Sequence, residues 1–189
     1  MKPTSKRLLF GAAILVGMSL VLAQPLYRKL MRPPPVHITQ LYDNVSVSEQ
    51  LKPQDMPGLS ERGFIAIIDL RPDGEAADQT PSTVMETAAR AGQMDFVYVP
   101  VAHGAIPDSA VAALDKALQA YRSPVLLYCR SGKRAARTWA LVEASRAGGM
   151  TAQAILETVK AGGQSADDLS EDIARRIAKR PSTVVAVQQ

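Results

Sequence analysis

Apolar residues follow two rhythms along this chain. Gly63 to Leu70 (GFIAIIDL) and Ser123 to Tyr128 (SPVLLY) are short, nearly unbroken runs. Such runs suit strands buried on both faces of a sheet. Asp108 to Tyr121 instead repeats Val111, Leu114, Leu118 and Tyr121 at helical spacing. Asp108 is the expected N-cap of that helix. Ser82 to Gly92 reads as another helix, with Gly92 just past its C-cap. Further helices are expected over Gly132–Arg146, Thr151–Gly163 and Asp168–Arg180. Asp95 to Val101 (DFVYVPV) supplies a third buried strand. His37–Tyr42 and Asn44–Glu49 alternate in part and predict a small strand pair around a turn at Asp43-Asn44. Strands separated by helices require right-handed crossovers. The fold class is therefore α/β, with a central, mostly parallel sheet flanked by helices.

The N-terminus breaks both rhythms. Leu8 to Tyr27 carries no charge and is flanked by Lys2, Lys6 and Arg7 on one side and Arg28, Lys29 and Arg32 on the other. This length suits a helix crossing a bilayer. A cleaved signal peptide is the alternative, with Val21 and Ala23 as small residues before a cleavage site. The balanced flanking charge leaves orientation open. The expected organisation is an N-terminal transmembrane anchor over 1–32, a proline-rich spacer over 33–36, a catalytic domain over 37–180 and a flexible tail over 181–189.

Composition changes this picture little. A chain of 189 residues with 47% hydrophobic and 21% charged residues is that of a globular protein. The net charge of +4, with no basic stripe interleaved with aromatics, argues against a nucleic-acid partner. Two histidines and one cysteine show no metal-ligand spacing. Neither a metal nor a cofactor is expected.

The one cysteine carries the chemistry. Cys129 follows a buried strand and opens the loop Cys129-Arg130-Ser131-Gly132-Lys133-Arg134, which leads into a helix. Ligands bind at the carboxyl ends of strands in parallel sheets. A helix N-terminus there attracts anions, and Arg134 can fold back over the loop. These features favour thiolate over thiol and make Cys129 a candidate nucleophile. Gly132 lets backbone approach an anion closely. Arg130 and Lys133 are expected to face outward and attract anionic substrates. Asp69 and Arg71 end a strand on the same edge; they line the pocket or pair with each other to fix the loop.

The segment Cys129–Arg134 (CRSGKR) resembles the active-site loop of rhodanese-type sulfurtransferases and, more loosely, that of cysteine-dependent protein phosphatases. Ser46–Glu75, then Tyr98–Val101, then Ser123–Leu141 together resemble the bacterial beta-lactamase-hydrolase-like, phosphatase-like domain family, over roughly Val36 to Leu169. The resemblance implies a dual-specificity-phosphatase-like fold, with catalytic Cys129 and Arg134. It also implies asparagine at the Asp69 position. The Asp-x-Arg…Glu pattern in Ile67–Glu75 is similar to the start of rhodanese domains, but the Gly-His-Ile-Pro-Gly-Ala stretch that follows in them is absent.

The resemblance leaves two chemistries open. Phosphatase loops place five residues between cysteine and arginine, and a histidine before the cysteine; this chain has four, and Tyr128. They also need an acid for the leaving oxygen, and Val101–Gly104 (VAHG) holds no carboxylate, only His103. His103 is either that acid or a solvated loop residue. Sulfur transfer needs no such acid. The expectation is therefore a sulfurtransferase anchored in the bacterial inner membrane. It would carry sulfane sulfur as a Cys129 persulfide between a small anionic donor and a thiol acceptor. The alternative is a phosphoester hydrolase acting on a phosphorylated substrate through a Cys129 phosphocysteine, and the third reading is an inactive anion-binding module.

Overall fold

A computed structural model describes residues 36–122 and 124–181. The expected anchor, the expected spacer up to Pro35 and the tail beyond Pro181 lie outside the described residues. Among the described residues, no helix is long and apolar enough to cross a membrane.

Five strands form one mixed sheet. They are β1 (Ile38–Tyr42), β2 (Val45–Ser48), β3 (Ala66–Asp69), β4 (Asp95–Tyr98) and β5 (Val125–Tyr128), in the order β1-β2-β5-β3-β4. Only β1 runs antiparallel, joined to β2 by a tight turn in which Asp43 takes a left-handed φ of 45°. The crossover helices leave β2, β5, β3 and β4 mutually parallel. Their registers align Ser48, Tyr128, Asp69 and Tyr98 in one row at the carboxyl edge. Central β5 thus delivers Cys129 to that edge, flanked by the ends of β2 and β3.

The helices are α1 (Met56–Glu61), α2 (Ser82–Ala91), α3 (Asp108–Ala120), α4 (Lys133–Ser145), α5 (Ala152–Ala161) and α6 (Ser170–Ala178). They divide between the sheet's two faces because side chains alternate along a strand. Ala66, Ile68, Val125, Leu127 and Cys129 join one core with residues of α3, α4, α5 and α6. Ile67, Leu126 and Tyr128 join the other with Met56, Leu59, Met85 and Ala89 of α1 and α2. Cys129 and Tyr128 therefore point to opposite faces. The Tyr128 ring is not packed with the thiol, although the two are neighbours in sequence.

Some local expectations need correction. Asp108 is the first residue of α3 and caps nothing; Pro107 holds the cap position, and the Asp108 carboxylate pairs with Arg176 of α6. Gly92 closes α2 at an ordinary φ of −83°, and Gln93 takes the left-handed turn at 59°. The segment Pro53–Glu61 forms a 3-10 turn and α1, which no sequence rhythm announced.

Candidate active site

Strand β5 is buried throughout, and Cys129 directly beyond it is 1% exposed. The chain must then reverse into α4, and Gly132 makes that reversal at φ 81°. A β-carbon there would sit 3.1 Å from Gln164 Nε2 and 3.4 Å from the Ser48 carbonyl oxygen. Glycine is thus required by both backbone and space. The loop backbone is held from two sides: the Gln50 N–H donates to the Arg130 carbonyl at 3.3 Å, and Gln164 Nε2 donates to the Ser131 carbonyl at 3.2 Å. Arg130, Ser131 and Lys133 are exposed, whereas Gly132 and Arg134 are buried. The first turn of α4 offers N–H groups without intrahelical acceptors, beside the partial positive charge of a helix start.

Arg134 turns back over the loop and is clamped by a residue outside it. Its Nη1 donates to Glu75 Oε1 at 2.5 Å and to the Val101 carbonyl at 2.6 Å, and its Nη2 donates to Glu75 Oε2 at 2.8 Å. A guanidinium has five N–H donors in a fixed plane. These three bonds do not exhaust its donors, and Cys129 is a further hydrogen-bond partner. The Cys129 sulfur lies within bonding reach of this side chain. Burial alone would lower the Arg134 pKa, but Glu75 and Cys129 together hold it above its ordinary value.

Glu75 is the hub of the cluster. Besides both Arg134 nitrogens it accepts Arg71 Nε at 3.0 Å, and His103 Nε2 lies 3.7 Å from its Oε1. The bonds from Arg134 hold its pKa down at about 2, against the desolvation that opposes them. Arg71 also donates from Nη1 to Gln50 Oε1 at 2.7 Å, which ties this cluster to the segment holding the Arg130 carbonyl.

Asp69 lies one step below and pairs with Arg71 through the backbone N–H of that residue, not through its guanidinium. Its side chain is not paired with that of Arg71, and at 1% exposure it is sealed from solvent. Oδ1 accepts the Arg71 backbone N–H at 2.8 Å, and Oδ2 accepts the Tyr128 hydroxyl at 2.6 Å. Burial pushes Asp69 up to about 6, although both bonds pull the other way. Tyr128 is raised above its ordinary value by burial first and by the neighbouring Asp69 charge second.

The structure therefore brings Cys129, Arg134, Arg71 and His103 into one cluster around Glu75, and places Asp69 behind it. Glu75, Gln50 and the Val101 carbonyl were missed as site groups. Only the Asp-x-Arg…Glu pattern hinted at Glu75. A cleft of about 420 Å³ borders the outer side of the loop; Ser48, Glu49, Ser131, Gly132 and Gln164 line it, and neither Cys129 nor Arg134 does. Among the described residues, no group of three His, Cys, Asp or Glu side chains could hold a metal. A thiol, a helix start and a guanidinium together suit a tetrahedral oxyanion.

Comparison with known proteins agrees with this geometry. The family model described as beta-lactamase hydrolase-like protein, phosphatase-like domain, matches residues 37–146, more than half of the chain. A beta-lactamase hydrolase-like protein of Agrobacterium fabrum is 32% identical over 105 residues, which are 56% of this chain and 24% of that protein. The match thus spans about a quarter of that relative's length. The crystal structure of a candidate phosphatase from Neisseria meningitidis superposes with a TM-score of 0.66 at 25% identity, over 74% of this chain and 97% of the other. P. aeruginosa TpbA, crystallised with pTyr, superposes with a TM-score of 0.54 at 17% identity, over 77% of this chain and 85% of TpbA, and shows the fold alone. The comparisons favour the phosphatase-like alternative over the sulfur transfer that the sequence reading put first.

Proposed function

Because the chain belongs to the family of beta-lactamase hydrolase-like, phosphatase-like domains, we propose that it hydrolyses phosphoesters with Cys129 as nucleophile. The observation that carries this reading is the Arg134 guanidinium, held beside Cys129 by the two-pronged Glu75 clamp. A bidentate fork matches two phosphoryl oxygens, and the α4 N–H groups serve the third. The Cys129 sulfur attacks phosphorus, the ester oxygen leaves, and water then releases phosphate from the phosphocysteine. Charge developing on the equatorial oxygens meets donors already in position. Arg130 and Lys133, exposed at the mouth, draw the anion in.

Sulfur transfer is a second reading, favoured by the four-residue spacing between Cys129 and Arg134 and by the absence of a carboxylate from 99–107. The same donors would hold thiosulfate while Cys129 takes its outer sulfur.

One assay separates the two. Full-length protein and Cys129→Ser are given p-nitrophenyl phosphate in one arm, and thiosulfate with cyanide in the other. Hydrolysis that vanishes in the variant, with no thiocyanate formed, supports phosphatase chemistry; thiocyanate without hydrolysis supports sulfur transfer. The uncharged run over 8–27 makes a bacterial inner-membrane tether part of the proposal. Release of the full chain from membranes by alkaline carbonate would contradict that tether.

A further inference from the structure

Expulsion of an alkoxide or phenoxide from phosphorus needs a proton, and the carboxylates around the loop are poorly placed to give one. Glu75 is ionised down to about pH 2 and committed to Arg134 and Arg71. Asp69 is sealed beneath the loop with both oxygens occupied. Asp73 binds the N–H and hydroxyl of Ser82 at 2.7 and 2.6 Å. Asp108 is paired with Arg176. Glu49 lines the outer cleft, which includes neither Cys129 nor Arg134.

His103 is placed differently. It sits on the segment between β4 and α3, two residues past the Val101 carbonyl that Arg134 grips at 2.6 Å. The position after it is Gly104 at φ 103°, a turn that a side chain would resist. The imidazole is 72% exposed, and its Nε2 stands 3.7 Å from the Glu75 oxygen that also accepts Arg134 Nη1. One carboxylate oxygen thus separates this ring from the Arg134 guanidinium. Glu75, from the segment after β3, faces it, and through Glu75 the cations Arg71 and Arg134.

We propose that His103 is the general acid of the reaction, protonating the leaving oxygen from Nε2. This inference rests on the phosphatase reading. As the Cys129 Sγ–P bond forms and the P–O bond breaks, the electron pair on the departing oxygen takes the imidazolium proton. The neutral imidazole then accepts a proton from the water that attacks phosphorus. The Sγ–P bond breaks, releasing phosphate and restoring the thiolate. Every proton and electron pair is accounted for without another reactant.

The test is a leaving-group series. kcat/KM is measured for full-length wild type and His103→Gln on aryl phosphates from 2,4-dinitrophenyl to phenyl. Dinitrophenolate leaves without help, so its ester should lose no more than about 3-fold, whereas phenyl phosphate should lose about 100-fold, the lower end of general-acid contributions. A steeper dependence on leaving-group basicity in the variant is the signature. A uniform fall across the series, or none, would overturn the inference and leave His103 as a positioning residue beside Glu75, with the phosphatase reading intact. Wild type that turns over none of the esters, dinitrophenyl included, would remove both. His103 is exposed, so its replacement should not prevent folding.

Discussion

Asp69 and Glu75 are two carboxylates on one short segment, and their surroundings drive them in opposite directions. Asp69 lies buried at the end of β3, bonded to a neutral hydroxyl and a backbone N–H, and its pKa rises to about 6. Glu75, on the following loop, meets two guanidinium groups and falls to about 2. At the more deeply buried Asp69 desolvation outweighs the two uncharged donors, whereas at Glu75 the paired cations outweigh it. The difference also divides labour. Glu75 holds the group that binds the anion, while Asp69 fixes the platform by joining the end of β5 to the turn that launches Arg71.

The division is open to attack at several points. Arg134→Lys should have the largest effect. An ammonium cannot occupy the Glu75 clamp and present a second fork together, so turnover should fall by about 10²–10³-fold, as when one transition-state donor is lost. If turnover survived, the Arg134 guanidinium would have no catalytic meaning.

Asp69→Asn comes next and is read in stability, not rate. The folded pKa of about 6 lies above the ordinary 3.8, so the folded protein retains a proton that the unfolded chain has lost. The resulting stabilisation is fully present below pH 3.8 and is lost as pH rises through about 6. A shift of this size corresponds to about 3 kcal/mol. Asparagine accepts the Arg71 N–H and donates to the Tyr128 oxygen, so it keeps both contacts without the charge. Thermal unfolding from pH 4 to 8 should therefore show wild type losing stability relative to Asp69→Asn. Parallel curves would mean that Asp69 does not carry the burial penalty.

Glu75→Gln should follow. Its amide keeps one acceptor but no charge, leaving two guanidinium groups without a counter-ion, and turnover should fall about 10–100-fold, in line with the loss of a charged hydrogen bond. Glu75 has the opposite linkage to Asp69. Its stabilisation is present above the ordinary 4.5 and is lost as pH falls through about 2, so the variant should lack this acid-side decline. Tyr128→Phe should be mildest. It leaves Asp69 Oδ2 unpaired at a cost of about 1–3 kcal/mol and barely alters kcat, because Tyr128 and Cys129 face opposite sides of the sheet.

The same two carboxylates show how far the sequence could be read. The run into Cys129, Gly132 and the helix after it marked the catalytic loop, because strand, turn and helix signals there are local. The periodic helices were legible for the same reason. The contact of Asp69 with Tyr128 comes from the parallel register that sets the two side by side, a pairing invisible along the chain. Glu75 was overlooked because it lies on an aperiodic loop and gains meaning only when Arg134 arrives from distant α4. The segment forming α1 contains Pro53, Pro57 and Gly58, which suppress any helical signal.

The central claim is that Cys129 carries the phosphoryl group, and the most direct measurement is intact mass. Full-length protein is mixed with 2,4-dinitrophenyl phosphate, quenched in acid during turnover and weighed, with Cys129→Ser in parallel. The account predicts wild type heavier by one phosphoryl group, mapped to Cys129, and an unchanged variant. Ester turnover that continues in the variant, or wild type that gains a sulfur from thiosulfate and never a phosphoryl group, would contradict it.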